Sequence, residues 1–224
     1  MSMKKEKTIN QEIQEKSVND NKGLKGWREV ALGSIAEITM GQSPPGETYN
    51  ETGNGLPFYQ GVADFGYRYP KKRVYCTSPS RFASAGDILF SVRAPIGRIN
   101  IATEKCAIGR GIACIRSKDT SDQKFLEFVL RSKTDEWLVL ESQGSIFGNA
   151  KKDDLIQLPI PWPNSSIRRA IASVLSSLDD KIDLLHRQNK TLEAMAETPL
   201  FVNKFVTYLC TLFMNYFLGL IGWI

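Results

Sequence analysis

Ile171, Val174, Leu178, Ile182, Leu185, Leu192 and Ala196, with Asn189 in the same series, stand three or four residues apart in a stretch rich in charged and polar residues. Such spacing is the signature of one long helix carrying a narrow apolar stripe. One four-residue insertion interrupts the heptads, a stutter that locally unwinds a coiled coil. The stripe is flanked by Arg168, Arg169, Asp179, Asp180, Lys181, Asp183, Arg187, Lys190 and Glu193. Asn164-Ser165-Ser166 offers capping side chains and Pro199 a stop, so the predicted helix covers 164–198. Just upstream, Pro159-Ile160-Pro161-Trp162-Pro163 disfavours helix and reads as a stiff exit segment at a domain boundary. A helix of roughly 30 residues with so narrow a stripe calls for a partner helix; packing on its own domain is the alternative. Asn189 on the seam would cost stability and set register or strand number.

The residues before that boundary read as a mixed domain over 27–163. Trp27 to Ile38 gives a short strand followed by a helical turn or strand, and Gly41-Gln42-Ser43-Pro44-Pro45-Gly46 is a loop. Strands are predicted at Phe58-Tyr59-Gln60-Gly61, Arg73-Val74-Tyr75, 87–92, 98–102 and 112–115, each bounded by Gly, Pro or Asp. Asp119-Thr120-Ser121-Asp122 caps a helix whose apolar positions continue from Phe125 through Trp137 to Leu140, ended by the 144–149 loop. A last strand is predicted from Leu155 to Ile160. The apolar fraction of 42% suffices for a core. The fold class is therefore α/β, a mixed α+β domain followed by a coiled-coil-type helix. Residues 1–26 form a solvated, disordered polar tail without the apolar segment of a signal peptide.

Several chemistries find no support. Cys76, Cys106, Cys114 and Cys210 make no Cys-x-x-Cys pair, and His186 is the sole histidine, so neither a metal site nor a disulfide framework is expected. A reducing cytoplasm suits such a chain. No phosphate-binding glycine loop, dinucleotide fingerprint or Asn-Pro-Pro-aromatic tetrapeptide occurs, so no cofactor is expected. Asp122 and Lys124 superficially match a nuclease pair but lie in a helix start where such residues are common. His186 reads as a solvated helix-face residue.

Charge is what the domain does carry. The chain holds 29 basic and 24 acidic residues, and 68–116 holds ten basic against two acidic. Among these, Arg68, Lys71, Lys72, Arg73, Arg93, Arg98 and Arg110, together with Gln60, are the candidate DNA-binding residues. Arginine matches guanine edges and phosphates bidentately, and Gln60 or Asn100 could pair with adenine. Tyr59, Tyr67, Tyr69, Tyr75 and several glycines are interleaved. A solvated basic face on an ordinary domain would look the same by composition.

The order of segments adds to this. Trp27 through Ala36 followed by Gly41-Gln42-Ser43-Pro44, then Pro57-Phe58-Tyr59-Gln60-Gly61 with Asp64-Phe65-Gly66, resembles the start of a target recognition domain of type I restriction–modification specificity subunits. Ala85-Gly86-Asp87-Ile88-Leu89-Phe90-Ser91-Val92-Arg93-Ala94-Pro95-Ile96-Gly97 resembles that family's most recognisable segment. Gly109-Arg110-Gly111-Ile112-Ala113, Gly144-Ser145-Ile146-Phe147-Gly148-Asn149 and Leu158-Pro159-Ile160-Pro161 complete a colinear set over about 27–198. The resemblance implies a DNA sequence-recognition subunit, itself non-catalytic, working with adenine-methylating modification subunits and a restriction subunit.

A full member of that family has two recognition domains and two helices, whereas this chain reads as one of each. Homodimerisation through Ile171, Val174, Leu178, Ile182, Leu185, Asn189 and Leu192 would restore two-fold symmetry. The helix, at about 1.5 Å per residue, would then set the gap between two half-sites. Two departures stand out: the family's usual Pro-Pro and Glu-Gln pairs are replaced here by Pro163-Asn164-Ser165-Ser166, and 199–224 replaces a second domain. Residues 205–224 are 20 residues without a charge, long enough to cross a bilayer. That tail is expected to be a frameshifted or truncated ending; a tail-anchored membrane protein and a stand-alone DNA endonuclease are the competing readings.

Overall fold

The computed structural model describes residues 26–134, 137, 149–196 and 204–213. Two compact units divide the chain between Ser173 and Val174. In the first, the central layer is an antiparallel sheet ordered β2-β10-β7-β8, built from β2 (Ala36–Met40), β7 (Ile88–Ser91), β8 (Ile99–Ile101) and β10 (Ile112–Ser117). Its two inner strands, β7 and β10, are largely apolar on both faces, and the pleat deals alternate side chains to two cores. Ile88 and Phe90 of β7, with Ala113 and Ile115 of β10, face a large core shared with Phe125, Leu126 and Leu130 of helix α2 (Gln123–Ser132). Leu89, Ile112 and Cys114 face the other way, onto Tyr59, Cys106 and Ile108.

That second core is closed by a five-stranded sheet ordered β3-β5-β4-β9-β6. Its strands are β3 (Tyr49–Asn50), β4 (Leu56–Tyr59), β5 (Val74–Cys76), β6 (Phe82–Ala83) and β9 (Cys106–Ile108), with β4 and β9 running parallel. The predicted strands at 58–61, 73–75, 87–92, 98–102 and 112–115 all find counterparts here. The part of the second predicted helix beyond Thr134, Trp137 excepted, and the 144–148 loop lie outside the described residues, as does the polar tail apart from Gly26.

The exit of the domain differs from expectation. Residues Lys152–Gln157 form helix α3, not strand; Asp154 accepts the Lys151 backbone N–H at 2.7 Å and, with Asp153, places acidic side chains in the first turn. The proline segment is itself a strand, β11 (Pro159–Trp162), paired antiparallel with β1 (Arg28–Ala31). Pro159 and Pro161 are two residues apart, so both ring nitrogens lie on the side away from β1, where no N–H is needed. Helix α1 (Leu32–Ile35) follows β1, and the Leu32 N–H donates to the Leu158 carbonyl at 2.9 Å. Entry and exit are thereby tied together.

The long helix α4 (Ser165–Ala196) starts where the sequence placed it. The Asn164 carboxamide accepts from the Ile167 N–H at 3.0 Å, a side-chain cap on an otherwise orphan donor. In the first unit, Ala172 is buried and Ile171 packs against the large core. Ile171 therefore serves its own domain, a correction to its place on the partner-seeking seam. In the second unit, Val174, Leu178, Ile182, Leu185 and Leu192 are all exposed, Val174 by 61% and Leu192 by 62%. Residues 204–213 are also helical. Among the described residues no helix is long and apolar enough to cross a membrane, and most of the uncharged 205–224 segment lies outside them.

Candidate nucleic-acid interface

β7 and β10 pair from Ile88 opposite Ile115 to Ser91 opposite Ile112. At the Ser91–Ile112 end, loops from all four strands of the central sheet meet. Gly41 N–H donates to the Ile112 carbonyl at 2.8 Å, Val92 to Gly111 at 2.9 Å, and Ser91 to Arg98 at 2.9 Å. The five-stranded sheet joins them there, because Gly111 N–H reaches the Gln60 carbonyl at 3.1 Å and Gly109 reaches Tyr59 at 2.8 Å. So close an approach admits only glycine: a Cβ on Gly111 would sit 2.2 Å from the Gln60 carbonyl oxygen. The result is a rim carrying Gln60, Arg93, Arg98 and Arg110, four of the eight candidates, brought together by main-chain bonds.

Their electrostatic settings differ. Arg93, Arg98, Arg110 and Lys71 are exposed, and among the described residues none has a carboxylate within ion-pair distance. Arg110 Nε donates to the Ser43 hydroxyl at 3.2 Å, which ties it to the glycine-proline loop after β2. Lys72 pairs with Glu104, which raises the lysine's pKa above its ordinary value while leaving it exposed. Arg73 donates to Asp64 at 2.7 Å, and that hydrogen bond pushes its guanidinium pKa up. The other oxygen of Asp64, itself buried, accepts the Gln60 backbone N–H at 2.7 Å. A groove of about 560 Å³ opens there, lined by Gln60, Arg73, Val74, Ala94 and Pro95 among others, with an Ala94–Pro95 cis peptide on its wall.

Two candidates leave the interface. Arg68 is only 4% exposed and faces Glu127, a buried carboxylate also approached by Lys124 at 3.1 Å and Arg131 at 3.0 Å. A guanidinium so enclosed neutralises an internal charge and is not presented to a ligand. Asn100 is buried as well; its carboxamide accepts from the Gly66 N–H at 2.9 Å and donates to the Gly66 carbonyl at 3.1 Å. Neither pairing was visible in the sequence, because the partners are distant along the chain. Ser43 and Asp64 went unassigned as well, although the Asp64-Phe65-Gly66 turn signal marked where to look.

At the opposite end of β7 and β10, arginines are committed to the fold. Arg116 makes a bidentate pair with Asp87 at 2.7 and 2.6 Å, which raises its pKa. Arg168 reaches both oxygens of Asp122 at 2.7 Å, donates to the Pro163 carbonyl at 2.6 Å and lies over the Trp162 ring. Asp122 is held by Arg168 and Lys124 by Glu127, so both members of the nuclease-like pair make structural contacts. Burial pushes the Cys106 thiol up to about 12 and raises Cys114 as well, so neither is a nucleophile near neutrality. Among the described residues no three His, Cys, Asp or Glu side chains gather as metal ligands.

The model of the type I restriction modification DNA specificity domain matches residues 24–194, and the chain belongs to that family. It is 38% identical over 169 residues to the type I restriction enzyme MjaX specificity subunit of Methanocaldococcus jannaschii, covering 75% of this chain and 40% of that one. The MjaIX specificity subunit of the same organism is 29% identical over 207 residues, covering 88% of this chain and 48% of its own length. Among solved structures, the HsdS subunit from Thermoanaerobacter tengcongensis superposes with a TM-score of 0.62 at 40% identity, over 73% of this chain and 40% of that one. A chain from a study of complex assembly in the type I R-M system gives 0.61 at 40% identity, over 76% and 42%. The chain thus spans less than half the length of each of these relatives.

Proposed function

We propose that this chain reads one half-site of a bipartite duplex DNA sequence as a specificity subunit of a type I restriction–modification system. A recognition domain over 27–163 touches the DNA, a spacer helix over 164–198 holds it at a set distance, and modification and restriction subunits do the chemistry. The chain itself catalyses nothing and binds no cofactor. The observation that carries this reading is the rim. Four strand ends and the five-stranded sheet converge there on Gln60, Arg93, Arg98 and Arg110, and the three arginines have no carboxylate partner among the described residues. Unneutralised guanidiniums clustered beside close-packed backbone suit a polyanion. We further propose that a second copy covers the exposed Val174–Leu192 stripe, so that two recognition domains address two half-sites from the cytoplasm.

Enrichment of duplexes by the purified full-length chain from a random library tests the core of this. An enriched motif is expected, one half-site per recognition domain, with affinity falling steeply as salt rises. Duplexes recovered without any shared motif would overturn it.

A further inference from the structure

The polar side chains at and beside the rim are not all held alike. Arg93 and Arg98 extend from loops with no side-chain partner among the described residues, as does Lys71, and Arg110 is steadied only by a hydroxyl. Long cations left this free lose rotamer entropy on contact and suit phosphates, which position a protein without specifying sequence. Gln60 and Arg73 are different. One buried carboxylate, Asp64, accepts the Gln60 main-chain N–H on one oxygen and the Arg73 guanidinium on the other, both at 2.7 Å. Asp64 is itself fixed at its own main chain: its N–H donates to Gly61 at 3.0 Å and its carbonyl accepts from Lys71 at 2.7 Å. The Arg73 fork is thus braced at one amino group while its side chain as a whole is more than half exposed, and it lines the same 560 Å³ groove as Gln60. The Gln60 carboxamide is exposed and has no protein partner among the described residues.

On the reading just given, we infer that Asp64 is a positioning residue for base readout: it fixes the main chain that carries Gln60 and one amino group of Arg73, so that the two side chains read adjacent base pairs in the major groove. Gln60 would take an adenine edge through its carboxamide and Arg73 a guanine edge through its free N–H groups, each a bidentate match. Bracing removes in advance the conformational cost that a free arginine meets on binding. Arg93, Arg98, Arg110 and Lys71 then hold the backbone around that step.

The test is library enrichment with three full-length proteins: the wild type, Asp64→Asn and Arg73→Gln. Asp64→Asn keeps the shape and removes the charge; Arg73→Gln leaves the Asp64–Gln60 bond in place and decides the matter should Asp64→Asn lower Tm. We expect Arg73→Gln to lose preference at one base pair and Asp64→Asn at that pair and its neighbour, by roughly tenfold or more, while the preference at all other positions is kept. Unchanged preference in both, or uniform weakening at every position in Arg73→Gln, overturns the assignment and leaves the recognition reading intact. A wild-type chain that enriches no motif overturns the reading on which the assignment rests.

Discussion

The two ends of the β7–β10 pair use arginine in opposite ways. At the helix-bearing end, Arg116 and Arg168 each hold a buried carboxylate bidentately, Asp87 and Asp122. At the rim, a few residues along the same strands, Arg93, Arg98 and Arg110 face solvent without a counter-charge among the described residues. A buried charge must be paired or the fold suffers, whereas an exposed unpaired one costs the fold almost nothing and remains available to a ligand. Residue type alone is therefore uninformative; what separates the arginines is how a carboxylate holds them, bidentately at Arg116 and Arg168, through one amino group at Arg73, and not at all at Arg93, Arg98 and Arg110 among the described residues.

The contrast can be broken by substitution. The largest effect is expected at the helix end: Asp122→Ala strands Arg168 and should lower stability by about 3–5 kcal/mol, read as denaturant midpoint at unchanged m-value. Gly111→Ala drives a Cβ onto the Gln60 carbonyl and should cost roughly 1–3 kcal/mol, with loss of DNA binding because the rim itself shifts. Arg93→Ala and Arg110→Ala should leave stability within about 0.5 kcal/mol and weaken duplex binding instead. If each meets one phosphate, the slope of log affinity against log salt should fall by about 1 per variant. An Arg110→Ala protein that lost stability like Asp122→Ala would erase the distinction between the two ends.

The smallest effect concerns pH. Cys106 is raised from an ordinary 9.0 to about 12 by burial, so the folded state favours the neutral thiol. Its contribution is whole below pH 9 and is lost as pH climbs toward 12, since the unfolded thiol ionises first. Alkylation at pH 8 should modify Cys210, which is exposed, and spare Cys106 until the protein unfolds. Rapid native modification of Cys106 would show that its core is open.

Much of this fold was legible in the sequence, for local reasons. Short apolar runs punctuated by Gly, Pro and Asp announced the strands of both sheets, and Asn164 announced the start of α4. The misreadings came from partnerships that a linear text hides. Leu155-Ile156 looked like strand, yet the acidic first turn at Asp153-Asp154 belonged to a helix. The prolines at 159 and 161 read as a stiff exit segment, yet their alternation suits the outer edge of a two-stranded ribbon. Arg68 counted toward a basic surface until Glu127 proved to lie beside it, and Ile171 counted toward the seam until the domain core claimed it. The recognition family was readable from the colinear order of weak motifs; which of its cations are free was not.

Adenine methylation mapped across the host chromosome addresses the division of labour most directly, comparing the intact gene, its deletion, and replacement by the Arg93→Ala, Arg110→Ala double variant. We expect one bipartite motif to vanish on deletion and to be lost or degraded with the double variant, although that protein remains folded. A methylated motif set identical in all three strains would contradict the assignment of sequence choice to this chain.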